Sequence, residues 1–182
     1  MFTGVERDEA PRGERSGAPP HEPAQDVWLT AHEREAWLTL NAIMLRLPGL
    51  LEQQLQRDSD LSYFEYMVLA VLAEQQPPRL RMSQLSMLTS GSLSRLSHVA
   101  KRLESKHYIV RETDALDRRS TNAVLTARGL AKVRETAPGH VAWVRHIFFD
   151  NLDADQLEHF IALGESVLPR VDPGGEMTNP SR

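Results

Sequence analysis

Between Ser92 and Lys106 the chain carries an apolar stripe on one helical face and, on the other, a run of hydrogen-bond donors with no acid before Glu104. Leu93, Leu96, Val99, Ala100 and Leu103 recur at steps of three and four, which predicts one buried stripe of an α-helix. The outward positions before Glu104 are Ser94, Arg95, Ser97, His98, Lys101 and Arg102. A solvated surface helix normally mixes both charge signs. A helix that withholds acid for almost three turns suits a surface where phosphates and base edges are met.

The neighbouring segments extend that reading. Met82 to Thr89 predicts a short helix opening at Ser83, with Leu85 and Leu88 inward. Ser90-Gly91-Ser92 follows as a tight turn, in which Gly91 tolerates positive φ and Ser92 offers an N-cap oxygen. Past Lys106 the period becomes that of a strand, Tyr108 to Glu112. A polar loop, Asp114 to Ser120, leads into a second strand, Thr121 to Leu125. Helix, turn, helix and then a hairpin with Arg118 and Arg119 at its tip is the order of a winged helix-turn-helix.

These residues resemble the MarR family of transcription regulators, in its actinobacterial form. The resemblance is carried by SLSRLSHVAKRLE at Ser92 to Glu104, by Asp114-x-x-Asp117-Arg118-Arg119, and by Leu125-Thr126-x-x-Gly129. DVWLT at Asp26 to Thr30 and APGHV at Ala137 to Val141 extend it over roughly Asp26 to Leu168. Where the family usually has glycine this chain has His107, which must then bear a left-handed backbone. Leu116 stands where many members carry a basic or polar residue. The resemblance implies a mainly α fold with a small β-hairpin wing and with N- and C-terminal helices that interlock across a two-fold axis. It also implies a cytoplasmic repressor of near-palindromic operators on double-stranded DNA, released by a small aromatic or anionic effector.

A net charge of −4 argues against nucleic acid only on average. Arg79 to Arg119 holds nine basic and four acidic residues, so the acid lies elsewhere in the chain. A basic module on an acidic body is expected where one face alone meets phosphate. The absence of cysteine removes disulfides, thiolate nucleophiles and thiol switches. No run approaches a membrane span, and residues 1–25 are too polar for a signal peptide.

The composition predicts a disordered tail at residues 1–25, one domain at 26–171 and a second disordered tail at 172–182. Within the domain the resemblance implies a DNA lobe at 61–126, with dimerisation helices at 26–60 and 127–171. Thr30 and Glu33 form a capping box, after which Trp37, Leu40, Met44, Leu47 and Leu51 alternate at steps of three and four, widened by Ala36, Ile43 and Leu50. That is more apolar surface than one neighbour covers, which predicts a homodimer. Pro48 should kink this helix. Ser62 and Glu65 form a second box, opening a helix that buries Phe64, Val68, Val71 and Leu72. Thr126 caps a long helix that Pro138-Gly139 should interrupt, and Asp153 to Gln156 caps the last one.

The candidate DNA contacts are Ser92, Ser94, Arg95, Ser97, His98, Lys101, Arg102, Arg118 and Arg119, with Asp117 holding one wing arginine by a charge-assisted hydrogen bond. Trp28, Trp37, Phe64, Tyr66 and Trp143 could line an effector cleft, with Arg46 or His140 meeting an anion, although aromatic residues at helical spacing more often serve as core. No metal or cofactor is expected, because His140 and His146 fall on different helical faces and no cysteine stands near them. Neither a catalytic triad, a P-loop nor a dinucleotide glycine pattern is present, so no catalysis is expected. The rival reading is a dimeric winged helix that contacts another protein instead of DNA.

Overall fold

The computed structural model describes residues 28–114 and 117–175. The expected tail at 1–25, most of the tail at 172–182 and the departure at Leu116 lie outside those residues. The elements run α1 (Ala31–Ser59), α2 (Tyr63–Ala73), β1 (Arg79–Arg81), α3 (Met82–Leu88), α4 (Leu93–Ser105), β2 (Ile109–Thr113), β3 (Thr121–Leu125), α5 (Ala127–Ile147), a 3-10 turn (Phe149–Asn151) and α6 (Ala154–Val171). The chain separates into two compact units, divided between Asn41 and Ala42.

In the first unit α1 starts at the expected capping box. The Thr30 N–H donates to Glu33 Oε2 at 2.8 Å, and the Glu33 N–H returns to Thr30 Oγ1 at 3.2 Å. Trp37 and Leu40 are exposed there.

In the second unit Leu55, Leu61, Leu69, Leu72, Leu85, Leu96, Leu103 and Ile109 are completely buried in one core under the helix-turn-helix. The capping box at α2 forms as expected, with Ser62 N–H to Glu65 Oε2 at 2.8 Å and Glu65 N–H to Ser62 Oγ at 3.1 Å. Phe64, Val68, Val71 and Leu72 are all buried beneath it. The sheet has one strand more than the expected hairpin: β1 pairs antiparallel with β3, which lies between β1 and β2. His107 takes the left-handed backbone expected of it, with φ 60°.

Several local expectations are corrected. The helix opening expected at Ser83 begins one residue earlier, and the Arg81 N–H is met by the Gln84 side chain at 3.3 Å. Positive φ at the turn belongs to Ser90 (47°), not to Gly91. What Gly91 provides is room, because a Cβ there would run into the Phe64 ring. Leu93 is 54% exposed instead of buried, since the first turn of α4 reaches past the core that covers Leu96. Pro138-Gly139 does not interrupt α5, which runs on through it with the loss of a single hydrogen bond.

Gly129 sits where α5 crosses Tyr108, and an added Cβ would collide with the Tyr108 backbone and the Leu125 side chain. Gly129→Ala should therefore cost about 1–3 kcal/mol. Gly139→Ala meets nothing within 4 Å and should stabilise by up to about 1 kcal/mol through helix propensity. Thermal unfolding of the two variants checks the contrast; equal melting temperatures would refute it.

Candidate nucleic-acid interface

The geometry of α4 follows from its cap and its period. The Ser92 hydroxyl accepts the Arg95 N–H at 3.2 Å, so this serine is engaged as the N-cap. At about 100° per residue, Ser94, His98 and Lys101 are the candidate contacts that point furthest from the buried Leu96, Ala100 and Leu103. All three are exposed. Ser97 is half-buried and lines a groove against the wing with Ser83, Leu93, Arg119 and Thr121.

The flank toward α2 carries Arg95, Arg102 and Lys106, and each is met by a partner. The Arg95 guanidinium carbon lies 4.3 Å from the centroid of the Phe64 ring. Arg102 Nε pairs with the buried Glu65 carboxylate at 3.1 Å. Lys106 Nζ reaches the Asp60 carbonyl at 2.9 Å and its carboxylate at 3.1 Å, which holds the Asp60 carboxyl below its ordinary range. Nothing in the spacing of α4 announces these contacts. The capping box placed Glu65 at the start of α2, but not its second use as an arginine partner.

At the wing, Arg118 and Arg119 are exposed on the turn between β2 and β3. The expected contact from Asp117 is corrected. Its carboxylate accepts the Ser120 hydroxyl at 2.7 Å and the backbone N–H of Arg119 at 3.1 Å, so it shapes the turn instead of gripping a guanidinium. Those two donors, the hydroxyl foremost, hold its carboxyl below the usual range. Arg111 ties the wing to α4 through Glu104, by Nη2 at 2.7 Å and Nε at 3.0 Å to one carboxylate oxygen. The arginine bonds hold Glu104 below its ordinary range as well.

Within the second unit the expected effector residues lie at several separate places. Trp28 and Trp37 belong to the first unit, and both are exposed. Phe64 lies under Arg95 and Gly91, in the helix-turn-helix. Tyr66 and His140 do meet, with ring centroids 4.7 Å apart, and His140 Nδ1 is 2.8 Å from Gln54 Oε1. Trp143 is half-buried, near Arg57 and His146. Arg46 instead borders an apolar groove of about 310 Å³ formed with Ile43, Leu47, Leu50, Ile147 and Phe148.

Burial pushes the His140 pKa down, so the packed ring favours its neutral form and does not offer an anion a cation. The linkage has a definite sign. The folded and unfolded chains both hold a neutral ring above the ordinary histidine pKa, and below it the unfolded chain takes up the proton more readily. Stability contributed by His140 is thus full above about pH 6.5 and declines as pH falls toward the lowered folded pKa. Melting temperatures measured from pH 8 to pH 5 should fall more steeply for the wild type than for His140→Gln; parallel curves would refute this assignment.

Among the described residues no group of three or more His, Asp or Glu side chains is placed to hold a metal ion, and no helix is long and apolar enough to cross a membrane.

A cap, a donor face and an arginine wing on this topology can be compared with known proteins. No family model matches the chain, and no curated protein matches it. Solved structures do. Sco3205 of Streptomyces coelicolor, a MarR family transcriptional regulator in complex with DNA, is 35% identical over 86% of this chain and 97% of its own, with a TM-score of 0.77. The chain belongs to the MarR family. AbsC, a MarR family transcriptional regulator from the same organism, is 38% identical over 80% of this chain and 96% of its own, with a TM-score of 0.73. BpsR of Bordetella bronchiseptica, whose DNA binding is regulated by 6-hydroxynicotinic acid, shares the fold at 21% identity over 73% of this chain and 98% of its own (TM-score 0.63). Membership of the MarR family makes this chain a DNA-binding transcription regulator and not an enzyme.

Proposed function

We propose that the protein acts as a homodimer whose two α4 helices enter successive major grooves of a near-palindromic operator. The observation that carries the reading is the donor face of α4, exposed from Ser94 to Arg102 and free of acid. Arg95 and His98 reach base edges; Ser94, Ser97, Lys101 and Arg102 hold phosphates; Arg118 and Arg119 flank or enter the minor groove. Ser92 contributes through the helix terminus that it caps. Two such helices related by a two-fold axis lie about 34 Å apart, one turn of B-DNA. The alternative of a winged helix that contacts only protein is not favoured, since Sco3205 is solved with DNA and the basic face here is intact.

Binding to operator and scrambled duplexes at several salt concentrations tests the division of labour. Arg95→Ala should cost about 1–3 kcal/mol on the operator and relax preference at one position per half-site. Lys101→Ala should weaken both duplexes alike. If Arg95→Ala lowers both affinities equally, Arg95 is a phosphate contact.

The dimer rests on α6, an 18-residue helix that buries none of its residues. Phe160, Ile161, Leu163, Val167 and Val171 are all exposed along it. A monomer seldom tolerates an apolar surface of that size. Light scattering should give twice the 20.6 kDa chain mass at low micromolar concentration. A folded monomer would sink the reading.

The working form is a cytoplasmic repressor, released by a small aromatic or anionic effector. The groove beside Arg46 is of a size that admits a small ligand, with one cation at an apolar wall. A ligand that prefers one spacing of the two DNA lobes must weaken binding to an operator that requires another. An effector found bound directly on the Ser94 to Arg102 face would overturn that mechanism.

A further inference from the structure

We infer that Phe64 is the positioning residue for Arg95: the first turn of α2 holds a base-reading arginine of α4 in place before DNA arrives. This rests on the reading of Arg95 given under the proposed function. Three features of the structure converge on it. The Phe64 ring is 7% exposed, and the Arg95 guanidinium carbon stands 4.3 Å from its centroid. On another side of the ring is Gly91, where any Cβ would strike the ring edge, so the ring fits there because residue 91 carries no side chain. The turn of α2 that carries Phe64 is itself fixed. The Ser62–Glu65 capping box closes it, and Glu65 also pairs with Arg102, two helical turns along α4 from Arg95.

The chemistry explains why a ring is used at this point. An arginine side chain that swings freely in the unbound protein must lose that freedom on reaching a guanine edge. A carboxylate would restrain it too, but by taking up the N–H fork that the base needs. An aromatic ring offers attraction to the cation and no conventional lone-pair acceptor, so the five donors stay available. Arg102 is treated differently: its Nε meets the Glu65 carboxylate, which takes up part of its charge and of its donors.

The test is a double-mutant cycle of Phe64→Leu and Arg95→Ala on operator and scrambled duplexes. Circular dichroism and melting temperature are recorded for each protein. Phe64→Leu should weaken operator binding roughly three- to ten-fold, leave the scrambled duplex within about two-fold, and add almost nothing in the Arg95→Ala background. In the free protein, the side-chain proton signals of Arg95 should lose their ring-current shift on Phe64→Leu. If Phe64→Leu does not fold, Phe64→Met serves in its place.

An equal loss with and without Arg95, or an equal loss on both duplexes, would make Phe64 a packing residue and overturn the inference. If Arg95→Ala itself discriminates the duplexes while Phe64→Leu on wild type changes nothing, the inference falls and base readout by Arg95 stands. If Arg95→Ala does not discriminate them, both fall.

Discussion

Truncating Leu103 to alanine is expected to cost about 2–5 kcal/mol and to abolish operator binding near physiological temperature. Leu103 is fully buried, on the stripe that fixes α4 to the core of the DNA lobe with Leu96 and Ile109. Deleting its three terminal carbons removes their burial and leaves a cavity that surrounding helices can only partly close. Domains of this size hold about 5–15 kcal/mol in total, so the loss is a large part of the whole. The exposed Leu93, on the same helix, supplies the control. Leu93→Ala should leave the melting temperature nearly unchanged, because the residue is already 54% exposed. Denaturant melts of the two variants decide the point; a destabilisation by Leu93→Ala equal to that of Leu103→Ala would contradict the packing described.

Raising salt from about 50 to about 200 mM is expected to weaken DNA binding by about three to five powers of ten. The estimate follows from charge placement. Each chain presents Lys101, Arg102, Arg118 and Arg119 on the exposed face of α4 and the wing, and the proposed dimer doubles the set. Every phosphate neutralised releases condensed counterions, so affinity falls as a power of the salt concentration. The net charge of −4 does not cancel this, because basic residues concentrate between Arg79 and Arg119. Lys101→Ala should shallow the slope by about two for a dimer, one for each subunit. Arg102→Ala should shallow it less, as Glu65 already neutralises part of that charge. A slope near zero would place the basic face away from the duplex.

The division between what was legible and what was not has a physical basis. Patterns confined to one element were readable. The Ser62–Glu65 and Thr30–Glu33 boxes, the stripe from Leu96 to Leu103 and the cap by Thr126 depend on residues a few positions apart. Features created by long-range packing were not readable in that way. β1 has only three residues, too few for an alternation, and exists because β3 pairs with it. Leu93 matched the helical period, yet the period cannot say where the covering body ends. Gly91 looked like a left-handed turn residue, whereas its role is clearance for a ring contributed by α2. In the site, the donor face was visible as composition. The partners that restrain it, Phe64 for Arg95, Glu65 for Arg102 and Asp60 for Lys106, come from another stretch of chain and had no local signal. Asp117 lies in the wing turn, where its carboxylate accepts the Ser120 hydroxyl and the Arg119 backbone N–H, a use that its spacing from the two arginines did not announce.

Selection of duplexes from a random-sequence pool by the full-length protein, followed by sequencing of the retained fraction, tests most directly that two α4 helices read one operator. Enrichment of an inverted repeat, with half-site centres about 10 base pairs apart, is the predicted result. Recovery of no motif, or of a single half-site without its symmetric partner, would contradict it.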